Sequence, residues 1–535
     1  MKMETIEEVF DYIIIGAGSA GAVLANRLSA DERTRVLLLE AGKPNNIWTR
    51  IPIGFGRLIE NPDANWCYSA EPEENTNGRR MPVPRGKLLG GSSAINGMIF
   101  VRGQPLDYDT WAQLGNRGWS YREVLPFFQK MEQFDGGDEE YRGRSGPLRV
   151  TEIPEVEPLY QAILDASQQA GLPFNSDYNG ASQEGVSISQ TTISRGRRQS
   201  TAHCYLEPAK TRSNLKIISE ALADCLLFEG SRCVGVSYSR RGTVHKARAG
   251  REVIVSAGSV KSPQLLELSG IGQSSRLRNL GIDIVHDLAG VGENLRDHYA
   301  PRMRWRIGAR GFTYNDKARG LGIVREAFKF FFKRTGLLGL PAAPVRAFFR
   351  TREGLESPDA CIGWFPLLVA PGYRIDEESG ITTFTHPLRS ESTGSIHIGS
   401  DDPSVQPEIN FNFLSSPPDA QITLHGIRMT REIMGMPAMQ HLQVEEIFPN
   451  PGLQDDDELM AWVKQTAETT YHPVGTCKMG SDPLAVVDER LRVHGLTGLR
   501  VADASIMPTL SSGNTNAPSI MIGEKASEMI LADAA

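Results

Sequence analysis

The sequence has no excess of positive charge. Its 57 lysines and arginines are outnumbered by 64 aspartates and glutamates, a formal charge of −7. A chain that binds the phosphate backbone of nucleic acid needs the reverse, so nucleic acid is excluded as a partner. The first ten residues, M-K-M-E-T-I-E-E-V-F, carry three glutamates and no apolar core, which argues against a secretory leader. No run of about 18 residues is both uncharged and mainly apolar. Residues 504–523 lack charge, but Ser, Thr, Asn and Gly interrupt them throughout. The six cysteines form no C-x-x-C, and no Cys/His cluster has zinc spacing, so a structural metal is not indicated. Reduced thiols in a cytoplasmic protein are the expectation. Neither an internal repeat of about 20–50 residues nor a low-complexity linker is present.

What is there describes a globular protein of roughly two to four units, with 40% hydrophobic and 23% charged residues. The β-branched and aromatic run F-D-Y-I-I-I predicts a buried strand over residues 10–15. The turn G-A-G-S-A-G follows at once, then the helical pattern A-V-L-A-N-R-L and a second strand, V-L-L-L-E, closing at Glu40. This is a βαβ unit opening a doubly wound parallel sheet. Gly16 permits the tight turn, Gly18 lets backbone approach a pyrophosphate, and Gly21 lets the helix pack on the strand. The helix N-terminus points unpaired N–H groups at the phosphates. Glu40, 19 residues beyond Gly21, is placed to accept hydrogen bonds from ribose hydroxyls. The fingerprint marks a dinucleotide site and leaves NAD and FAD open.

Further strands are expected at Leu215 to Ser219, Glu252 to Ser256 and Leu499 to Ala502, and sheet at Gly146 to Val150 and Thr382 to Gly399. The sheet-rich middle, about 300–465, reads as a second domain. The segment G-I-V-R-E-A-F-K-F-F-F-K-R mixes phenylalanines with cations. It reads as a helix packed on the domain beside a pocket mouth, with peripheral membrane contact as the second reading.

Five more stretches carry a resemblance. They are P-R-G-K-L-L-G-G-S-S-A-I-N-G-M from Pro84, G-S-V-K-S-P-Q-L-L-E-L-S-G-I-G from Gly258, V-G-E-N-L-R-D-H from Val291, H-P-V-G-T-C-K-M-G from His472 and V-A-D-A-S-I-M-P from Val501. In this order the chain resembles the glucose–methanol–choline (GMC) oxidoreductase family along essentially its whole length. It is most similar to the bacterial alcohol dehydrogenase branch, which includes choline and polyethylene glycol dehydrogenases. The resemblance implies an α/β plus α+β fold. A Rossmann-like FAD-binding domain would be built from the discontinuous segments 1–155, 196–300 and 466–535. A substrate domain with an antiparallel sheet would comprise 156–195 and 301–465. The implied cofactor set is Gly16, Gly18, Ser19, Ala20, Gly21, Glu40, Ala41, Gly90, Gly91, Ser92, Asn96, Gly97, Met98, Leu222, Ala257, Gly258, Asp503, Ala504, Asn516 and Ala517. Asn96 would lie beside the isoalloxazine, Asp503 and Ala504 near the ribityl–phosphate stretch, and Leu222 near adenine. Some relatives attach FAD through a histidine one residue before that asparagine; Ile95 stands there, so the FAD is expected to be non-covalent.

Alcohol oxidation needs a group to take the hydroxyl proton while a hydride passes to flavin N5. A neutral imidazole suits the first task, and a side-chain amide can stabilise the developing alkoxide without competing for the proton. His472 and Asn516, 44 residues apart, match the family's catalytic pair. Asn514 is the nearest rival to Asn516, and His298 and His386 are expected to be structural. The expected reaction is FAD-dependent oxidation of a primary alcohol, polyethylene glycol-like or otherwise amphiphilic. Electrons would pass to an acceptor other than NAD: a quinone, a redox protein or O2. An O2-using alcohol oxidase, a choline dehydrogenase and a hydroxynitrile lyase on the same fold are the alternatives. The aromatic stretch C-I-G-W-F-P-L-L-V-A-P-G-Y from Cys361 is expected to line the pocket.

Overall fold

The computed structural model describes residues 8–370 and 374–534; residues 1–7, and the P-G-Y that ends the Cys361 stretch, lie outside them. The opening β-branched run forms strand Glu8–Ile15, buried from Tyr12 onward, and the all-buried Val36–Leu39 pairs with it in parallel. Between them the alanine-rich helix Ser19–Leu28 starts directly after Gly18. Leu215–Ile218 extends the sheet beyond Val36–Leu39. On the other side lies the 13-residue strand Thr243–Val255, parallel to Glu8–Ile15 along its length. Its outer edge serves two neighbours. The first half pairs antiparallel with Arg232–Arg240, itself paired with Ala221–Glu229; the second half takes Leu499–Val501 in parallel. All three expected strands are therefore in this sheet, and the one predicted at Glu252 begins nine residues earlier.

The final helix, Asn516–Ala534, packs against Ser19–Leu28. Gly523 makes the approach close: a Cβ there would stand 2.8 Å from the Ala20 carbonyl oxygen and 2.9 Å from Val23 Cβ. Arg27 adds a two-pronged ion pair to the fully buried Glu524, which also accepts from the Tyr205 hydroxyl at 3.0 Å. This paired charge locks the helix register, because breaking one partner would strand the other in the core.

A second, wholly antiparallel sheet runs Val444–Phe448, Arg302–Ile307, Gly380–Pro387, Ala360–Phe365, Val345–Phe349, Gly185–Ile188. Strand alternation sends Val345, Ala347 and Phe349 to the core under helices Pro158–Gln169 and Pro417–Gly435. Arg346 and Phe348 go to the opposite face, towards the first sheet. Across that face Arg346, Gly363, Phe384 and Arg302 stand in one cross-strand row. A Cβ on Gly363 would enter the Phe384 ring, so glycine is what lets that ring lie over the strand. Of the other sheet expectations, Gly146 to Val150 yields only the two-residue Leu148–Arg149. Thr382 to Gly399 splits into Gly380–Pro387 and Ser395–His397. Tyr68, Ala70, Met81 and Val83, from the first segment of the chain, pack into the second sheet's core.

The cation-and-phenylalanine segment is helix Leu321–Lys333. Glu326 and Phe330 face inward, whereas Leu321 is 88%, Phe331 65% and Phe332 71% exposed. Among the described residues no helix is long and apolar enough to cross a membrane.

Candidate active site

A cavity of about 1620 Å³ lies between the two sheets, well above the ~300–1,000 Å³ of an ordinary small-molecule site. One end is the glycine turn. Gly16 has φ +101°, a conformation that L side chains rarely adopt, and no heavy atom lies within 4 Å of where a Gly18 Cβ would be. The Gly18 backbone is thus open to the cavity, while a Cβ on Gly21 would run into the Gly16 carbonyl. Gly21 is therefore a packing glycine. The Glu40 carboxylate accepts from the N–H groups of Ala17 (3.0 Å) and Gly42 (2.9 Å), and burial pushes its pKa up to about 7. It braces the turn and keeps lone pairs for a further donor. Asp503 does the same across the cavity, accepting from Gly258 N–H and the Ser262 hydroxyl with one oxygen and from Ser505 N–H with the other.

Asn96 stands further in. Its Oδ1 accepts from Met98 N–H (3.1 Å) and from Arg198 (2.6 Å). Two donors on the oxygen fix the amide's orientation. Its NH2 has no hydrogen-bond partner among the described residues, and Asn96 lines the cavity. A bare glycine backbone, braced carboxylates and an uncommitted amide donor fit a flavin dinucleotide. Of the twenty expected contacts, Gly21, Gly90 and Ala517 do not line the cavity; the other seventeen do. Arg198, buried with no carboxylate partner among the described residues and lowered by that burial to about 9, is a support that no sequence motif marked.

The other end holds His472. Pro473 restricts the histidine backbone to extended geometry, and the preceding Tyr471 has φ +69°, a strain of about 1–3 kcal/mol that its surroundings must hold. They do so from both sides: Arg85 donates to the Tyr471 carbonyl (2.5 Å), and buried Asp297 accepts from His472 N–H (2.9 Å), His298 N–H (2.7 Å) and the Thr469 hydroxyl. Burial pushes the Asp297 carboxyl up to about 6.

The imidazole's tautomer follows from two fixed ends. A guanidinium only donates, so Arg346 Nη1, 2.7 Å from Asn514 Oδ1, leaves the Asn514 NH2 turned towards His472 Nε2 at 2.9 Å. Nε2 must accept, and therefore carries the lone pair. At the far end the Leu388 carbonyl only accepts, so His298 Nε2 carries hydrogen (2.9 Å) and its Nδ1 is bare. His472 Nδ1–H then donates to Thr470 Oγ1 (2.8 Å) and His298 Nδ1 (3.1 Å). Burial, reinforced by the neighbouring imidazoles and Arg346, holds His472 well below its ordinary value; burial also lowers His298 to about 4 and His386 well below. All three rings are neutral at physiological pH.

The expected His472–Asn516 pairing is corrected here. Asn516 opens the last helix and donates to Ser19 Oγ at 2.8 Å, at the start of the first helix. Asn514, two residues earlier in the preceding loop, is the amide on the imidazole. Once the helix has begun its first residue is committed to the helix contact, and the loop residue is left free to reach across. His298 and His386, expected to be structural, lie with ring centroids 4.3 Å apart and planes tilted by 34°, one bonded to His472 and the other on the cavity wall. Arg346 had gone unnoticed; a lone arginine in the apolar run V-R-A-F-F was the available signal.

Comparison with known proteins places the chain in a family. A GMC oxidoreductase family model matches residues 10–300 and its C-terminal counterpart residues 390–523. The chain is 44% identical to an oxygen-dependent choline dehydrogenase of Pseudomonas fluorescens, over 97% of this chain and 93% of that one. It is 42% identical to the corresponding protein of Sinorhizobium fredii, over 97% and 95%. Among solved structures it is similar to formate oxidase of Aspergillus oryzae (TM-score 0.92, 27% identity, 99% of each chain). It is also similar to an FAD-dependent oxidoreductase of Chaetomium thermophilum (TM-score 0.91, 26% identity, 98% and 99%). On both family models and a site of this form, the chain belongs to the GMC oxidoreductases, as an FAD-dependent enzyme acting on alcohols.

Proposed function

We propose that this protein oxidises a primary alcohol to its aldehyde at the His472 end of the cavity, with His472 Nε2 as the base and Asn514 as the donor to the alkoxide. FAD, when bound, supplies a two-electron acceptor for the hydride on the carbinol carbon. Gly18, Asn96 and Asp503 would hold it, with Ile95 offering no covalent attachment. The hydroxyl proton passes to Nε2, and the imidazolium so formed keeps its Nδ1–H on Thr470 and His298. The Asn514 amide donates to the oxygen as charge develops there and cannot take its proton.

The observation that carries this reading is the hydrogen-bond chain from Arg346 to Leu388, which leaves a neutral imidazole whose Nε2 lone pair is held by the Asn514 NH2 at the cavity wall, the place a substrate hydroxyl would take. Anaerobic addition of a primary alcohol should bleach the bound flavin. An unchanged flavin band with every alcohol tried would refute the reading, and turnover of a cyanohydrin without bleaching would replace it with a lyase. Oxygen as acceptor is supported by the relatives' names; reoxidation rates in air-saturated buffer, against a quinone, decide it. The exposed apolar face of helix Leu321–Lys333, flanked by Arg325, Lys333 and Arg334, supports contact with an anionic bilayer. Co-sedimentation with anionic but not zwitterionic vesicles is the expected result, and absence from both pellets would refute it.

A further inference from the structure

We propose that the alcohol oxidised here carries a carboxylate, held by Arg346 beside the reacting carbon, so that this site turns away quaternary-ammonium alcohols. The inference rests on the alcohol-oxidation reading and names its substrate class.

The cavity face of the second sheet carries three arginines, Arg302, Arg304 and Arg346. Two have carboxylate partners: Arg302 pairs with Glu468 at 3.0 Å and Arg304 with Asp376 at 2.6 Å. Arg346 is 2% exposed and has no carboxylate within ion-pair distance among the described residues. Its Nη1 donates to Asn514, its Nε has no partner, and its guanidinium lies 5.6 Å from the Phe348 ring centroid. Its cross-strand neighbours are Ser187 and Gly363, neither charged. Asp297, the carboxylate closest along the chain to the imidazoles, is already occupied by two backbone N–H groups and the Thr469 hydroxyl.

A cation taken out of water normally comes with an anion. Arg346 has none among the described residues, and it lines the space where substrate must sit to reach His472. A guanidinium offers a planar fork that fits a carboxylate, and only the Asn514 amide separates this one from the base. Its field reaches the reacting end, since it helps lower all three imidazoles. A cationic substrate would meet that field, since the nearby cavity carboxylate Glu468 is already paired with Arg302. Unit charges about 6 Å apart at an effective dielectric of about 20 correspond to a preference of about 100-fold over a neutral group. The carboxylate takes no part in bond making; it orients the carbinol while the proton and hydride leave as above.

The test uses the FAD-loaded full chain and three alcohols of matched reach: 3-hydroxypropanoate, 3,3-dimethylbutan-1-ol and choline, with 4-(hydroxymethyl)benzoate and 4-methylbenzyl alcohol as a larger pair. In anaerobic stopped flow the carboxylates should exceed the neutral alcohols in kcat/KM for flavin reduction by about 100-fold, and the neutral alcohols should in turn exceed choline. Arg346→Gln keeps an N–H for Asn514 and removes the charge. The neutral alcohol measures what the loss of Asn514 support costs, and the carboxylate should fall about 100-fold further. Arg346→Lys, which keeps the charge without the fork, should retain part of the preference. Equal losses on all alcohols would make Arg346 a positioning residue for Asn514 alone and overturn the proposal, as would choline being preferred by the wild type. Benzoate titration, followed by the flavin difference spectrum, needs no turnover: binding weakened by Arg346→Gln supports the proposal, and unchanged binding overturns it. If even the neutral alcohols fail to reduce the flavin, alcohol oxidation itself is wrong, and the titration still decides whether Arg346 binds a carboxylate.

Discussion

Asn514 and Asn516 differ by two positions and, in this structure, by task, so exchanging each for alanine in turn separates two kinds of loss. Asn514→Ala removes the donor that faces the substrate oxygen beside His472 Nε2 and leaves Arg346 Nη1 without its acceptor. Losing one preorganised donor to a developing oxyanion costs about 10²–10³-fold in rate, or about 2.7–4 kcal/mol. The flavin site is untouched by this change, so FAD content should stay near one per chain. Asn516→Ala removes the 2.8 Å bond to Ser19 at the start of the first helix. There the loss falls on the phosphate-facing turn, with weaker FAD retention and a reduction rate within a few-fold of wild type once FAD is saturating. The assay is single-turnover flavin reduction under anaerobic conditions at saturating alcohol, with FAD stoichiometry read from absorbance. The reasoning fails if Asn516→Ala, fully loaded, slows reduction a hundredfold while Asn514→Ala does not.

Three further outcomes follow from the same geometry. His472→Ala should keep its FAD and lose about 10²–10⁴-fold in flavin reduction; near-wild-type stopped-flow traces would exclude the base. Acid precipitation should leave the yellow colour in the supernatant, because Ile95 offers no nucleophile; a coloured pellet would mean a covalent link. The base works neutral and is held well below 6.5, so the reduction rate should persist as pH falls through 6.5 and drop only at the depressed pKa; a titration centred at 6.5 or above would contradict this. Stability moves with the same protons: between pH 6.5 and about 4 the unfolded chain binds a proton that folded His298 refuses, removing about 3 kcal/mol as pH falls. Asp297, raised to about 6, acts in the opposite direction over part of that range, so the Tm of the holoprotein should decline less steeply than three buried imidazoles alone would dictate.

The first sheet was legible because its information is local. The four paired positions of residues 12–15 and 36–39 need only short apolar runs, and the turn needs only glycines at fixed spacing. The second sheet was legible as a class but not in detail. Its strands alternate between a core face and a cavity face, and a charged residue on the cavity face breaks the apolar pattern that sequence reading follows. Arg346 was lost for that reason. His298 and His386 were lost for another: each is one residue in a long loop or strand, and the cluster depends on contacts across 174 residues of chain from His298 to His472 and 88 from His298 to His386 that no local pattern encodes.

The Asn514/Asn516 reversal has a physical lesson of its own. Spacing along a chain measures function only while the intervening backbone keeps its path, and here the path changes from loop to helix between the two amides. The helix that begins at Asn516 is fastened to the first helix by the Gly523 contact and the Arg27–Glu524 pair. That docking holds Asn516 at the phosphate turn and carries Asn514, two residues upstream, to the imidazole. One short segment thus ties the cofactor turn to the base, and the distance between them is set by helix packing some ten residues away. Gly523→Ala, which must push the two helices apart at Ala20 and Val23, should therefore weaken FAD retention and slow flavin reduction together, although it touches neither. A variant that lost stability while keeping both properties intact would show that the helix pair does not set this distance.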